Sequence, residues 1–241
     1  MEKIRLDKLL ATAGIGTRSE VKGLIRKGQV TVNDEICKKA DEKIETETDR
    51  VAVNGREISY SKYEYHLLHK PAGCVSATKD NVHPTVMDYI PSDRKSELFP
   101  VGRLDLDTEG LLLITNDGEM AHYLLSPGRH VPKTYYARIN GNVTQADADA
   151  FAQGVDIGED KPTLPASLQI LTTGEMSEIE LTICEGKFHQ VKRMFQAVGK
   201  EVVYLKRISM GSLILDETLP AGKSRRLTQK EIEDLKKRST S

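Results

Sequence analysis

Three stretches of this 241-residue chain carry side chains suited to chemistry. The first is Pro100-Val-Gly-Arg-Leu-Asp-Leu-Asp-Thr-Glu-Gly-Leu-Leu-Leu-Ile-Thr-Asn-Asp-Gly118, polar in its first half and apolar in its second, the pattern of a loop feeding a buried strand. Asp105, Asp107, Glu109 and Gly110 match the opening of a calcium loop, but Asn116 stands where such a loop ends on a bidentate glutamate. Asp105 and Asp107 also fit a carboxylate pair for glycoside chemistry, because alternate residues of an extended segment face the same way. Aspartates in a glycine-rich loop can equally be turn formers, and spacing alone leaves these readings open. The second stretch, Val131-Pro-Lys-Thr-Tyr-Tyr-Ala-Arg138, places Lys133, Tyr135 and Ala137 on one face of a strand. The third, Ile183-Cys-Glu-Gly-Lys-Phe-His-Gln-Val-Lys-Arg-Met-Phe-Gln-Ala-Val-Gly199, is a strand, a glycine turn and a helix. Val191, Met194, Phe195 and Val198 point inward there, with His189, Lys192 and Arg193 elsewhere. Gly186-Lys187 lacks the glycine spacing of a phosphate-binding loop, and a lone histidine such as His189 is more often structural than a ligand.

The rest of the chain narrows the setting. An apolar fraction of 38% with 29% charged residues is that of a globular protein and excludes wholesale disorder. No apolar run is long enough to span a membrane, and the first residues lead into an amphipathic segment with no signal-peptide core, so a cytoplasmic location is expected. Cys37, Cys74 and Cys184 are odd in number and far apart, which gives no support to a disulfide framework or a cysteine-rich zinc site. The net charge of -1 conceals two basic regions. Residues 1–39 hold nine basic side chains against five acidic ones, and residues 187–207 hold six against one. Clusters of this kind suit a polyanionic partner, although a solvated face is the plainer explanation of either alone.

The elements that must position these groups follow from periodicity. Leu6, Leu9, Leu10 and Ala13 form the stripe of a short helix closed by Gly14. Thr17-Arg-Ser-Glu20 starts a second helix, basic on the face of Arg18, Lys22 and Arg26, which Gly28 stops. Hairpins are expected at Asn33-Asp34 and Asn54-Gly55, making a module that ends near residue 60. Residues 59–64 form a polar, tyrosine-bearing linker. Beyond it the pattern predicts strands over 65–68, 110–115, 134–139, 167–171, 178–183, 202–208 and 212–215. Helices are predicted over 85–89, 118–125, 145–153, 189–198 and 228–238. Without regular strand-helix-strand alternation, the expected class is α+β, a mixed and mainly antiparallel sheet, with domains at 1–60 and 61–241.

Taken together, Gly102-Arg-Leu-Asp-x-x-Thr-x-Gly-Leu-Leu-x-x-Thr-Asn-Asp-Gly118, Lys133-x-Tyr135 and Glu185-Gly-Lys-x-His-Gln-Val-Lys-Arg-Met194 resemble, in order and spacing, the motifs of pseudouridine synthases. The likeness is to the branch that modifies ribosomal RNA of the small subunit. Arg5-Leu-Asp-Lys8, Arg18-Ser19 and Gly28-x-Val-x-Val-Asn33 resemble the small RNA-binding domain named after ribosomal protein S-four. His83-Pro-Thr-Val86 and His189-Gln190 separate the chain from the large-subunit enzymes, which typically carry Asn-Arg or Arg-Glu at the latter position. Ala137 stands in place of the commoner Val, and Lys192 where many relatives have Arg, a change that keeps charge but loses bidentate geometry.

The resemblance implies isomerisation of one uridine of 16S ribosomal RNA, within a partly assembled small subunit, by a monomer that needs no cofactor and no metal. The N1–C1′ bond breaks, the detached uracil turns, and C5 joins C1′. It implies Asp105 as the nucleophile, which burial would tend to neutralise unless a cation stood beside it, and Lys192 as that cation. Tyr135 would stack on the uracil, and Arg103 would fill the space left by the flipped base or bind a phosphate. RNA contacts would come from Arg5, Lys8, Arg18, Lys22 and Arg26 in the N-terminal module, and from Lys133, Lys187, His189, Gln190 and Arg193 around the pocket. The rivals are a large-subunit synthase and a non-catalytic assembly factor; intact Asp105, Tyr135 and Lys192 argue against the second.

Overall fold

The computed structural model describes residues 3–46, 48–58 and 61–237, which fall into two units, Met1–Tyr63 and Glu64–Ser241. In the first unit the chain runs β1 (Lys3–Arg5), α1 (Leu6–Thr12), α2 (Arg18–Arg26), β2 (Val30–Val32), β3 (Glu35–Ile36), β4 (Lys43–Glu45), β5 (Val51–Val53) and β6 (Arg56–Glu57). The expected capping box starts α2: the Thr17 hydroxyl accepts from the Glu20 amide, and the Glu20 carboxylate accepts from the Thr17 amide at 2.7 Å. Both turns form with left-handed residues, Asn33 and Asp34 in one and Asn54 in the other. Leu6, Leu9, Leu10, Val21, Ile25, Val30 and Ile44 close a small core. The pairing of β1 with β4 has no counterpart among the sequence-based expectations, since three-residue strands show no periodicity.

The second unit begins earlier than a linker over 59–64 implies. Residues 59 and 60 of that linker lie outside the described residues, but Glu64 is buried and accepts from the Ser92 hydroxyl at 2.8 Å. After it come β7 (Tyr65–Lys70), β8 (Phe99–Pro100), β9 (Glu109–Thr115), α3 (Gly118–Leu125), β10 (Lys133–Asn140), α4 (Gln145–Gln153), β11 (Ser167–Thr172), β12 (Met176–Ile183), α5 (Gln190–Ala197), β13 (Glu201–Met210), β14 (Leu213–Ile214), β15 (Ser224–Arg226) and α6 (Gln229–Lys236). The predicted helix over 85–89 is a 3-10 turn, Val86–Tyr89. The last residue of the predicted 228–238 helix lies outside the described residues. The short β8 and β15 go beyond the sequence-based expectations.

The strands lie in the order β11-β12-β10-β13-β9-β7-β15, with β8 on β9 and β14 on β13. All pairings are antiparallel except β13 with β9, where Lys206 and Arg207 face Glu109 and Gly110. The sheet is therefore mixed and mainly antiparallel, as expected. Leu111 to Ile114 are fully buried, because β9 lies well inside the sheet; that explains its unbroken apolar run. On β10 the alternation holds: Lys133, Tyr135, Ala137 and Ile139 face the core, which α4 and α5 cover through Phe151 and Phe195, set edge to face at 5.1 Å. Among the described residues no helix is long and apolar enough to cross a membrane.

Three features fix the loop between β8 and β9 and its entry into β9. Gly110 sits at φ +109, and a Cβ there would lie 2.2 Å from the Arg207 carbonyl oxygen, so only glycine lets β9 meet β13. Lys70, the last residue of β7, is fully buried, and its ammonium donates to the carbonyls of Pro71 (3.1 Å), Asp105 (2.9 Å), Leu106 (3.5 Å) and Thr108 (2.8 Å). Burial pushes the Lys70 pKa down, against the opposing pull of Cys74 and Asp105. Ser76 adds a reciprocal pair, its hydroxyl donating to the Leu104 carbonyl and accepting from the Leu104 amide, each at 2.9 Å. Replacing Lys70 with Met keeps the volume but strands these carbonyls. Lys70→Met is expected to cost about 2 to 4 kcal/mol of stability in urea unfolding, together with most of the activity.

Candidate active site

The clamped loop delivers Asp105 to the mouth of a cavity of about 800 Å3, which Arg103, Lys133, Tyr135, Phe188, His189 and Arg207 help to line. A narrower recess of about 90 Å3 continues past Asp105 to Thr108, Tyr135, Lys192 and Leu205. Tyr135 comes from β10, is 8% exposed, and lies opposite Arg207 of β13 in the strand register. His189 and Lys192 come from the start of α5. Asp105, Tyr135 and Lys192, far apart in sequence, thus meet in one place, with the carboxylate half-buried.

Lys192 stands 3.5 Å from one Asp105 oxygen, and His189 Nε2 stands 3.6 Å from the other. The tighter partner of Lys192 is Asp107, whose two oxygens accept from its ammonium at 2.7 and 2.8 Å. Burial pushes the Asp107 pKa up, but the bonds to Lys192 and its charge outweigh burial and hold the carboxyl below its ordinary range. Asp107 is therefore the closer partner of Lys192, and Asp105 faces the cavity with the same cation beside it. Glu109, the third acid of the motif, accepts from the Tyr204 hydroxyl at 2.8 Å and belongs to the sheet.

The other sequence-derived candidates divide by their partners. Arg103 is exposed at the cavity wall. Lys133 lines the cavity but is buried, and its ammonium donates to the Val131 carbonyl; burial and then the charge of Arg207 push its pKa down. Gln190 is buried beneath the site, donating to Glu185 Oε1 and accepting from the Lys187 amide. The Lys187 ammonium donates to the carbonyls of Lys161 and Pro162. Arg193 bonds Glu159 and the carbonyls of Phe188 and Ile157. In the first unit Arg5 is engaged by buried Asp7 at 2.9 and 3.0 Å, and Lys22 is half-buried, whereas Lys8, Arg18 and Arg26 are exposed.

Three residues of the site stand outside the sequence-derived set. Lys70 positions the loop, and a lysine that ends an apolar strand just before Pro71 is a signal that could have found it. Arg207 is 2% exposed; its Nε donates to the Leu111 carbonyl, and its Nη2 meets no acceptor among the described residues. Phe188, on the cavity rim, reads in the sequence only as part of a turn.

The chain is similar to known proteins over nearly its whole length. Residues 64–197 match the family model for RNA pseudouridylate synthase, and residues 4–51 match the S4 domain. The RNA pseudouridine synthase YtzG of Bacillus subtilis is 46% identical over 95% of this chain and 97% of its own. Ribosomal small subunit pseudouridine synthase A of Haemophilus influenzae is 40% identical over 97% of this chain and all of its own, and that of Escherichia coli is 40% identical over 95% and 98%. A crystal structure of a pseudouridylate synthase, 40% identical, superposes with a TM-score of 0.68 over 96% of this chain and 99% of the other.

The contacts of Gln190 separate support from ligand binding. Gln190→Ala is expected to cost about 1 to 2 kcal/mol in thermal or urea unfolding, since it strands the Lys187 amide. The dependence of RNA affinity on salt should stay unchanged, because the substitution removes no charge.

Proposed function

This chain belongs to the RNA pseudouridylate synthase family and carries an S4 domain ahead of the enzyme, and on that premise we propose that it isomerises one uridine in 16S ribosomal RNA, a reading supported by relatives named ribosomal small subunit pseudouridine synthase A. The observation that supports the assignment of roles is the convergence of Asp105, Lys192 and Tyr135 on one cavity, with Asp105 on a loop tied down through its own backbone. In this reading residues 61–241 are the catalytic domain and residues 1–60 the RNA-binding module. The enzyme works as a monomer in the cytoplasm, on a partly assembled small subunit.

The chemistry follows from the positions. A uridine turned out of the RNA stack enters the cavity, and Tyr135, rigid in the sheet, supplies the flat surface on which the uracil rests while detached. Asp105 acts at the sugar–base junction as the nucleophile. The Lys192 ammonium stands 3.5 Å from its carboxylate and completes the charged pair at the site. The N1–C1′ bond breaks, the ring turns about its contact with Tyr135, and C5 bonds to C1′; the proton lost from C5 is balanced by the one gained at N1. Arg103, exposed at the wall, meets the RNA where the base has left. Mapping pseudouridine in both ribosomal RNAs, from cells with and without this protein, tests the target: loss of one site in 16S RNA is expected, and loss only in 23S RNA would reassign the enzyme to the large subunit.

Two outcomes distinguish the roles. Asp105→Asn should abolish isomerisation while leaving RNA affinity within a few-fold, whereas Asp107→Asn should keep the rate within about tenfold, or ~1.4 kcal/mol of barrier, because Lys192 remains to pair with Asp105. Single-turnover kinetics and filter binding measure both. A chain of residues 61–241 should fold, yet bind ribosomal RNA more weakly and with a shallower salt dependence. The slope of log K against log salt should drop by about 0.7 to 0.9 for each phosphate that the module would otherwise neutralise.

A further inference from the structure

Aromatic side chains are costly to leave in water, yet Phe188 is 65% exposed on the rim of the cavity. It is not loose. Its ring lies on that of His189 with centroids 3.8 Å apart and planes 20° from parallel. His189 itself adopts φ 50, a left-handed conformation uncommon outside glycine, just before α5 begins. One face of Phe188 is thus braced while the side chain as a whole stays open to solvent. Leu106 and Leu125, also among the exposed large apolar residues, line the same cavity.

We propose that Phe188, braced by His189, is a stacking platform for an RNA base next to the uridine that enters the site. This rests on the reading that the cavity receives a flipped uridine. Flipping takes one base out of the stack and leaves its neighbours with an uncovered face. The uracil has Tyr135, buried deep beside Asp105; a single uracil ring fills only a small part of a cavity of about 800 Å3. The remainder is bounded by a flat, pre-ordered aromatic and by the exposed Arg103, a combination that suits an unstacked base and its phosphate better than an apolar peptide. Because every base has a π-face, the platform would tolerate different neighbours and add affinity more than sequence choice.

The chain contains no tryptophan, so Phe188→Trp makes a protein with one reporter, and Leu171→Trp, on exposed β11, provides a control. Each is titrated with small-subunit RNA fragments that the wild-type enzyme converts, and with versions made abasic at each nucleotide flanking the target. The expected result is that binding quenches the indole of Phe188→Trp and leaves that of Leu171→Trp unchanged. Phe188→Ala should bind about 5- to 150-fold more weakly than wild type while Phe188→Trp does not, and one abasic position should erase that difference. Bound RNA with unquenched fluorescence in Phe188→Trp, or equal affinity of Phe188→Ala and wild type, would overturn the platform. Failure of the wild type to convert any small-subunit fragment would count against the 16S target instead, and the titration then uses the RNA it does convert.

Discussion

The active site depends on one buried ammonium. Lys70 ends a fully buried strand, and its charge is met by carbonyl oxygens, three of which belong to the Asp105 loop. Carbonyl dipoles satisfy the lysine without neutralising it, so the loop is gathered around a positive centre while the Asp105 carboxylate stays free for the cavity. Ser76 fixes the same loop from the other side at Leu104. A carboxylate held through its own main chain needs no side-chain anchor from the loop, and its oxygens face Lys192, His189 and the cavity.

The charges around the cavity have a division of labour. Asp107 takes the short contacts to Lys192, so that the lysine is oriented by one acid and offered to the other. Residues that look alike in sequence therefore have different partners, since Asp107 pairs closely with Lys192, Asp105 faces the cavity, and Glu109 accepts from Tyr204 of the sheet. Behind them, Gln190, Lys187 and Arg193 fasten the turn before α5 to the loops around residues 157–164 and to Glu185, and so fix where His189 and Lys192 begin.

Much of this was legible in the sequence. The apolar runs, the capping box at Thr17 and the Asn-Gly and Asn-Asp turns gave most helices and strands, because those signals are local. The motifs placed Asp105, Tyr135 and Lys192 by their resemblance to a family. What could not be read was which end of each long side chain would find a partner. Lys133, Lys187 and Arg193 are basic residues near a polyanion site, yet their heads turn to carbonyls or to an acid within the fold, positions set for Lys187 and Arg193 by segments distant in the chain. Lys70 was passed over for the opposite reason, since a lysine closing a strand is ordinarily at the surface and only its place before Pro71 marks it out. The strands β1, β8 and β15 are too short to carry a period.

The order of strands in space also differs from their order in time. β13 lies between β9, which follows the Asp105 loop, and β10, which carries Tyr135, and it pairs with β9 at two register positions, Glu109 and Gly110. During synthesis, Asp105 and Tyr135 have both been made well before the strand that joins their halves of the sheet exists. Closing such a long-range seam is slow compared with forming hairpins. The two halves of the site, one on the β9 side and one on β10, are therefore joined in a single sheet only once β13 has paired with both strands.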